Sequence, residues 1–179
     1  MEDSKFFLFG FFGIRAFDRL YENVFSYDNV SHAIICIGVN DMIQPGTISG
    51  PPWDAKKPYQ YAEALTDFYL KFREHGIKTV GMNFPPFGGS PDATPAKHEV
   101  RKRVNEWFAE NADICDCFVD IYALTESSKC PDLAPRGVLG EDNLHPNTYG
   151  GEILANAVPL EFFAQSSETV KAKECEGAL

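Results

Sequence analysis

His145 stands three residues after Asp142, in the stretch GEDNLHPNTYGG that runs from Gly140 to Gly151, with Pro146 directly behind it. A neutral imidazole can take a proton from a hydroxyl nucleophile, and a carboxylate beside it can hold the tautomer and stabilise the charged ring. The D-x-x-H spacing lets one short loop supply both groups, and Pro146 removes a backbone donor and stiffens the turn. The same residues also suit a loop histidine bonded to a local aspartate with no chemistry attached. A second candidate is Gly38-Val39-Asn40-Asp41, which closes an apolar run. The amide of Asn40 can donate to an oxyanion that develops during acyl transfer. Loss of one such donor costs about 2.7–4 kcal/mol where it has been studied. The structural alternative is an ordinary Asn-Asp turn at a strand end.

These residues need a scaffold, and the apolar spacing supplies one. Ile14, Phe17, Leu20, Val24 and Phe25 recur at helical intervals, as do Tyr61, Ala64, Leu65, Phe68 and Phe72 within a helix expected over Tyr59–His75 and closed by Gly76. A third helix is expected over Ala96–Glu110, with Val100, Val104, Trp107 and Phe108 inward, and the basic residues between Lys97 and Arg103 on a helix face. His32–Val39 is apolar on both faces and suits a central parallel strand. Ile77–Asn83 and Cys117–Ala123 read as two more strands. Asn147 is placed to cap a last helix carrying Ile153, Leu154, Ala157 and Val158. Strands alternating with helices mean an α/β layer fold with a parallel sheet, whose ligands bind at the carboxyl ends of the strands. Three strands are few for such a sheet. One domain is expected over residues 1–165, with a polar tail over 166–179.

Composition narrows the classes. The chain has 179 residues, 44% hydrophobic and 23% charged, with a net charge of −10. That acidic balance argues against nucleic-acid binding, which needs clustered Lys and Arg. No apolar run reaches the ~20 residues of a membrane span. Phe6–Ile14 is apolar but follows an acidic start and lacks a small-residue cleavage site, so no signal peptide is expected; the compartment stays open. The five cysteines, Cys36, Cys115, Cys117, Cys130 and Cys175, match no zinc-ligand spacing and read as reduced thiols. A metal site from Asp142, His145 and His98 would need a convergence that nothing in the sequence shows.

Taken together, G-V-N-D at a strand end and D-N-L-H-P before a final helix resemble the third and fifth blocks of the SGNH (GDSL-type) hydrolases, in the GDSL-like lipase/acylhydrolase branch. The stretch from Gly13 to Leu20 is similar to the helix that precedes the G-x-N-D strand there. Asn83–Gly89 resembles the loop after the next strand, and Arg101–Trp107 the helix that follows. The resemblance spans roughly residues 10–163. It implies a three-layer α/β/α esterase fold with no cofactor and no metal, His145 as general base, Asp142 as its orienting acid and Asn40 as an oxyanion donor, with Gly38 and Asp41 supporting the motif. The expected partner is a small-molecule ester on a sugar, lipid or other carrier. Members are often exported.

The family also needs a serine in a G-D-S block on an earlier strand and a glycine in a second block. Asp3-Ser4 echoes the first, but nothing before it reads as a strand. Gly10 and Gly13 lie too close to the following helix to fill the second. Cys36 reads as a core residue of the strand. The nucleophile is therefore unknown, and the domain reads as lacking its first strands, with the edge of His32–Val39 left open for self-association or partly covered by the Phe-rich start. Two functions compete. One is a serine esterase whose nucleophile lies elsewhere; the other is a binding module or truncated fragment without turnover, with Trp53 in the Pro45–Pro58 loop as a contact surface or as loop packing.

Overall fold

The structure is a computed structural model and describes residues 14–164. Ser4, Gly10, Gly13, Cys175 and the polar tail lie outside the described residues. The elements run α1 (Ala16–Leu20), β1 (His32–Ile35), α2 (Val39–Ile43), α3 (Pro58–Glu74), β2 (Lys78–Met82), α4 (Pro95–Glu110), β3 (Cys117–Val119), α5 (Ile121–Thr125), α6 (Thr148–Asn156) and α7 (Glu161–Ala164). A single π-helical turn, Tyr21–Phe25, continues α1. The described strands form one sheet in the order β1-β2-β3, all parallel, with Ile34 beside Val80 and Val80 beside Cys117.

Alternation along β2 creates two cores. Thr79 and Gly81 face α3 and α4; a Cβ on Gly81 would meet the Tyr69 hydroxyl at 2.7 Å and Cys115 Sγ at 2.8 Å, so only hydrogen fits there. That larger core holds Tyr61, Leu65, Phe68, Phe72, Val104 and Phe108. Val80 and Met82 face the other way and pack with Val119, Ile121 and Val158, closed over by Leu154, Phe162 and Phe163. Helices on both faces of a parallel sheet make the three-layer α/β/α architecture.

The helical spacing fits α3 closely. All five residues expected inward are buried. Pro58 opens the helix at a position that needs no N–H, and Gly76, at φ +68°, ends it in the left-handed region. The strands need correction. His32–Val39 is not a central strand among the described residues: β2 holds the centre, and β1 is an edge that ends at Ile35. Gly38, at φ +103°, turns the chain into α2. Ile34 is 54% exposed there, because the smaller helix layer reaches only His32, through the rings of Phe162 and Phe163. Cys36 is exposed just past β1 rather than in the core, although apolar neighbours push its thiol pKa up. The third strand also stops early, since Asp120 accepts from the Ala123 N–H and starts α5.

Candidate acyl-transfer site

The loop that carries the dyad is pinched shut at its base. The Gly140 N–H donates to the His145 carbonyl at 2.8 Å, and the Asn147 N–H donates to the Val138 carbonyl at 3.1 Å. Between them the chain turns tightly, with the Asn143 N–H donating to the Gly140 carbonyl and Asn143 itself at φ +52°, a conformation Asn tolerates better than most residues. Asn147 then does two jobs. Its Oδ1 accepts from the Gly150 N–H and caps α6, and its Nδ2 donates to the Gly137 and Leu139 carbonyls. The expected cap is thus also the pin that fixes where the loop leaves the helix.

Gly150 belongs to this joint. A Cβ there would run into the Val138 carbonyl oxygen, whereas Gly151 next to it faces open space. Gly150→Ala is therefore expected to cost about 1–3 kcal/mol through overpacking. Gly151→Ala is expected to add about 1 kcal/mol through helix propensity. Urea unfolding midpoints of the two variants, moving in opposite directions, check the pair.

Asp142 and His145 meet as the spacing predicts. Asp142 Oδ1 accepts from the backbone N–H groups of Leu144 and His145, each at 3.0 Å, and Oδ2 lies 2.5 Å from His145 Nδ1. The imidazole contact and these two amides hold the Asp142 carboxyl down at about 2. At neutral pH the carboxylate has no proton to give, so Nδ1–H is the donor and Nε2 carries the free lone pair. That is the tautomer a general base needs. The two side chains are 49% and 73% exposed, and Nε2 has no hydrogen-bond partner among the described residues.

The sign of the pH dependence follows. A carboxyl depressed in the folded state favours folding above its ordinary value near 3.8, and that contribution disappears as pH falls towards 2. Carbon-detected titration of the Asp142 carboxyl is expected to give a midpoint near 2, rising towards the ordinary value in His145→Ala.

Asn40 occupies the second position of α2, just beyond the carboxyl end of β1 and directly after the Gly38 turn. Its side-chain amide has no hydrogen-bond partner among the described residues. Asp41 is buried at 4% exposure beside Tyr61, whose phenol pKa is pushed up by burial and then by the Asp41 carboxylate. The structure brings Asp142 and His145 together; it shows no contact between that pair and Asn40. His98 does not join them. Its ring stacks on Phe87 at 4.9 Å, and its Nδ1 lies 3.7 Å from Asp132. No group of three His, Cys, Asp or Glu side chains among the described residues could hold a metal.

The inner face of α4 carries two polar residues that the sequence reading did not name among its inward positions. Arg101 is fully buried, not part of a solvated basic face, and Asn105 is 7% exposed. The signal was available: Arg101, Val104, Asn105 and Phe108 stand at i, i+3, i+4 and i+7, the spacing of one helix face. Asn105 pairs with the backbone of Phe84, accepting from its N–H and donating to its carbonyl, each at 2.9 Å. Asn83 donates to Asp120 at 2.7 Å and accepts from the Tyr122 N–H. These bonds shape the loops at the carboxyl ends of β2 and β3.

A model of the GDSL-like lipase/acylhydrolase family matches residues 9–153, most of the chain. The chain belongs to this family. Among solved structures, a GDSL-like lipase from Bacteroides thetaiotaomicron is similar, with 16% identity, a TM-score of 0.55 and coverage of 85% of this chain and 68% of that one. An acetyl-xylooligosaccharide esterase from Geobacillus is similar at 20% identity and a TM-score of 0.58, covering 78% of this chain and 62% of that one. No curated protein matches. At these identities the structural neighbours speak for the fold alone. The parallel sheet and its two helix layers are those of a GDSL-like acylhydrolase, and no helix among the described residues is long and apolar enough to cross a membrane.

Proposed function

We propose that this GDSL-like chain hydrolyses acyl esters of small carriers, with His145 as general base, Asp142 as its orienting carboxylate and Asn40 as an oxyanion donor. The observation that carries the reading is the Asp142–His145 pair at 2.5 Å, which occupies Nδ1 and leaves Nε2 without a partner among the described residues. A hydroxyl nucleophile attacks the acyl carbon while its proton passes to Nε2. The carbonyl oxygen becomes an oxyanion, to which the Asn40 amide donates. Collapse expels the carrier, which leaves as an alcohol by taking the proton from the imidazolium; water then repeats the sequence and releases the carboxylic acid. No metal or cofactor enters this scheme. Short acyl esters on sugars are the first substrates to try, given the Geobacillus relative.

The nucleophile is not assigned. His145 is exposed and Nε2 has no partner among the described residues, which favours one alternative: a module that holds an acylated ligand without turning it over. In that reading Trp53, 82% exposed in the segment between α2 and α3, is a ligand contact rather than loop packing. Treatment with a fluorophosphonate, followed by mass spectrometry, separates the two. A single serine adduct that is lost in His145→Ala supports the hydrolase and identifies its nucleophile. A folded protein that takes no adduct and cleaves no ester supports the binding module.

The edge of β1 supports pairing between copies. Ile34 and Cys36 are exposed along it, and no strand among the described residues pairs with it. Ile34→Lys puts a charge where an edge-to-edge contact would form. Sedimentation velocity is expected to show association that grows with concentration in the parent and is lost in the variant.

A further inference from the structure

We infer that Arg101 and Asp132 are positioning residues that seat the loop bearing Asp142 and His145 against the carboxyl end of the sheet. The inference rests on the reading of that pair as the acid–base machinery. Arg101 projects from α4 into the protein and is fully buried. Its Nη2 donates to Asp132 Oδ1 at 2.8 Å. Its guanidinium carbon lies 5.7 Å from the Phe87 ring centre and 4.7 Å from that of Tyr122. One side chain therefore touches three segments: the loop after β2 through Phe87, the start of α5 through Tyr122, and the long loop before α6 through Asp132.

The long loop is then tied to the β2 loop at two further points. The Gly88 N–H donates to the Asp132 carbonyl at 2.7 Å, and a Cβ on Gly88 would strike that same oxygen. Gly89 lies so close to Asn143 that a Cβ there would come within 2.7 Å of the Asn143 Cβ. Asn143 is the residue after Asp142. The chain from Asp132 to Asn143 thus has both ends held on the Phe87–Gly89 segment, and the dyad turn hangs from the second of them. Two successive glycines are what allow that approach.

The chemistry of the pair suits position better than stability. Arg101 Nε and Nη1 have no hydrogen-bond partner among the described residues, so one carboxylate and two aromatic faces hold a buried charge. An apolar pair of the same volume would often be as stable. What the guanidinium adds is direction: a rigid fork that accepts one carboxylate placement and thereby one placement of the loop. Val104, buried on the same helix with an apolar side chain that can form neither hydrogen bond nor ion pair, supplies the comparison.

The test reads the dyad turn without requiring turnover. Amide exchange of Leu144 and His145, the two donors to Asp142, and the titration midpoint of the Asp142 carboxyl are measured by NMR in Asp132→Asn, Arg101→Met and Val104→Ala. Asp132→Asn and Arg101→Met are expected to speed exchange at Leu144 and His145 by about tenfold or more and to move the Asp142 midpoint up from about 2. Val104→Ala, though less stable, leaves both close to the parent. Either positioning variant suffices if the other does not fold. Exchange and midpoint no more altered than in Val104→Ala would overturn the inference. An ordinary Asp142 midpoint in the parent would instead sink the dyad itself, whatever Arg101 does.

Discussion

Replacing His145 with Ala is expected to lower ester turnover by on the order of 10⁴-fold, about 5 kcal/mol in the barrier. The ring is the one group in the loop with a free proton-accepting nitrogen, because Asp142 occupies the other. Without it a hydroxyl must lose its proton to water during attack. What remains is the part of catalysis that comes from binding and from donors such as Asn40. Asp142→Asn is expected to do nearly as much, about 10³–10⁴-fold. Its Oδ1 keeps the two backbone N–H groups, so its NH2 faces Nδ1 and donates to it, which puts the ring proton on Nε2 and removes the base. Initial rates on p-nitrophenyl acetate, with an acetylated sugar as the second substrate, check both. Loss of less than tenfold in His145→Ala would put the base elsewhere.

The second large effect is on stability. Asp132→Ala is expected to cost about 3–5 kcal/mol, because it leaves the fully buried Arg101 cation with no carboxylate. Arg101→Met is expected to cost less. Its residual group, Asp132, is 43% exposed and can recover water, while the Met side chain fills space between Phe87 and Tyr122. The asymmetry distinguishes an electrostatic loss from a packing loss: a cavity mechanism predicts the opposite order, since Arg is the larger side chain. Urea denaturation of the two variants and of the double variant checks it. The double variant is expected to be more stable than Asp132→Ala alone.

Local patterns were enough for much of the molecule. The spacing of α3 placed five inward residues, Asn147 marked the start of α6, and D-x-x-H built a dyad because the contact is closed by a turn of four residues. Each of these depends on neighbours within one turn, so the order of residues along the chain decides it. The two motifs together also pointed to the family and its three layers. The parts that needed the folded chain depend on distant neighbours. His32–Val39 has the composition of a central strand, yet its place at an edge among the described residues is settled by which strands lie beside it, and its end by the left-handed turn at Gly38. Arg101 looks like one basic residue among several from Lys97 to Arg103; only the arrival of Asp132, 31 positions on, and the rings of Phe87 and Tyr122 turn it inward. Burying a charge is costly unless a partner comes with it. The partner here comes from another segment, so the helix face of Arg101 could be read from the sequence, but its burial was decided by the tertiary structure.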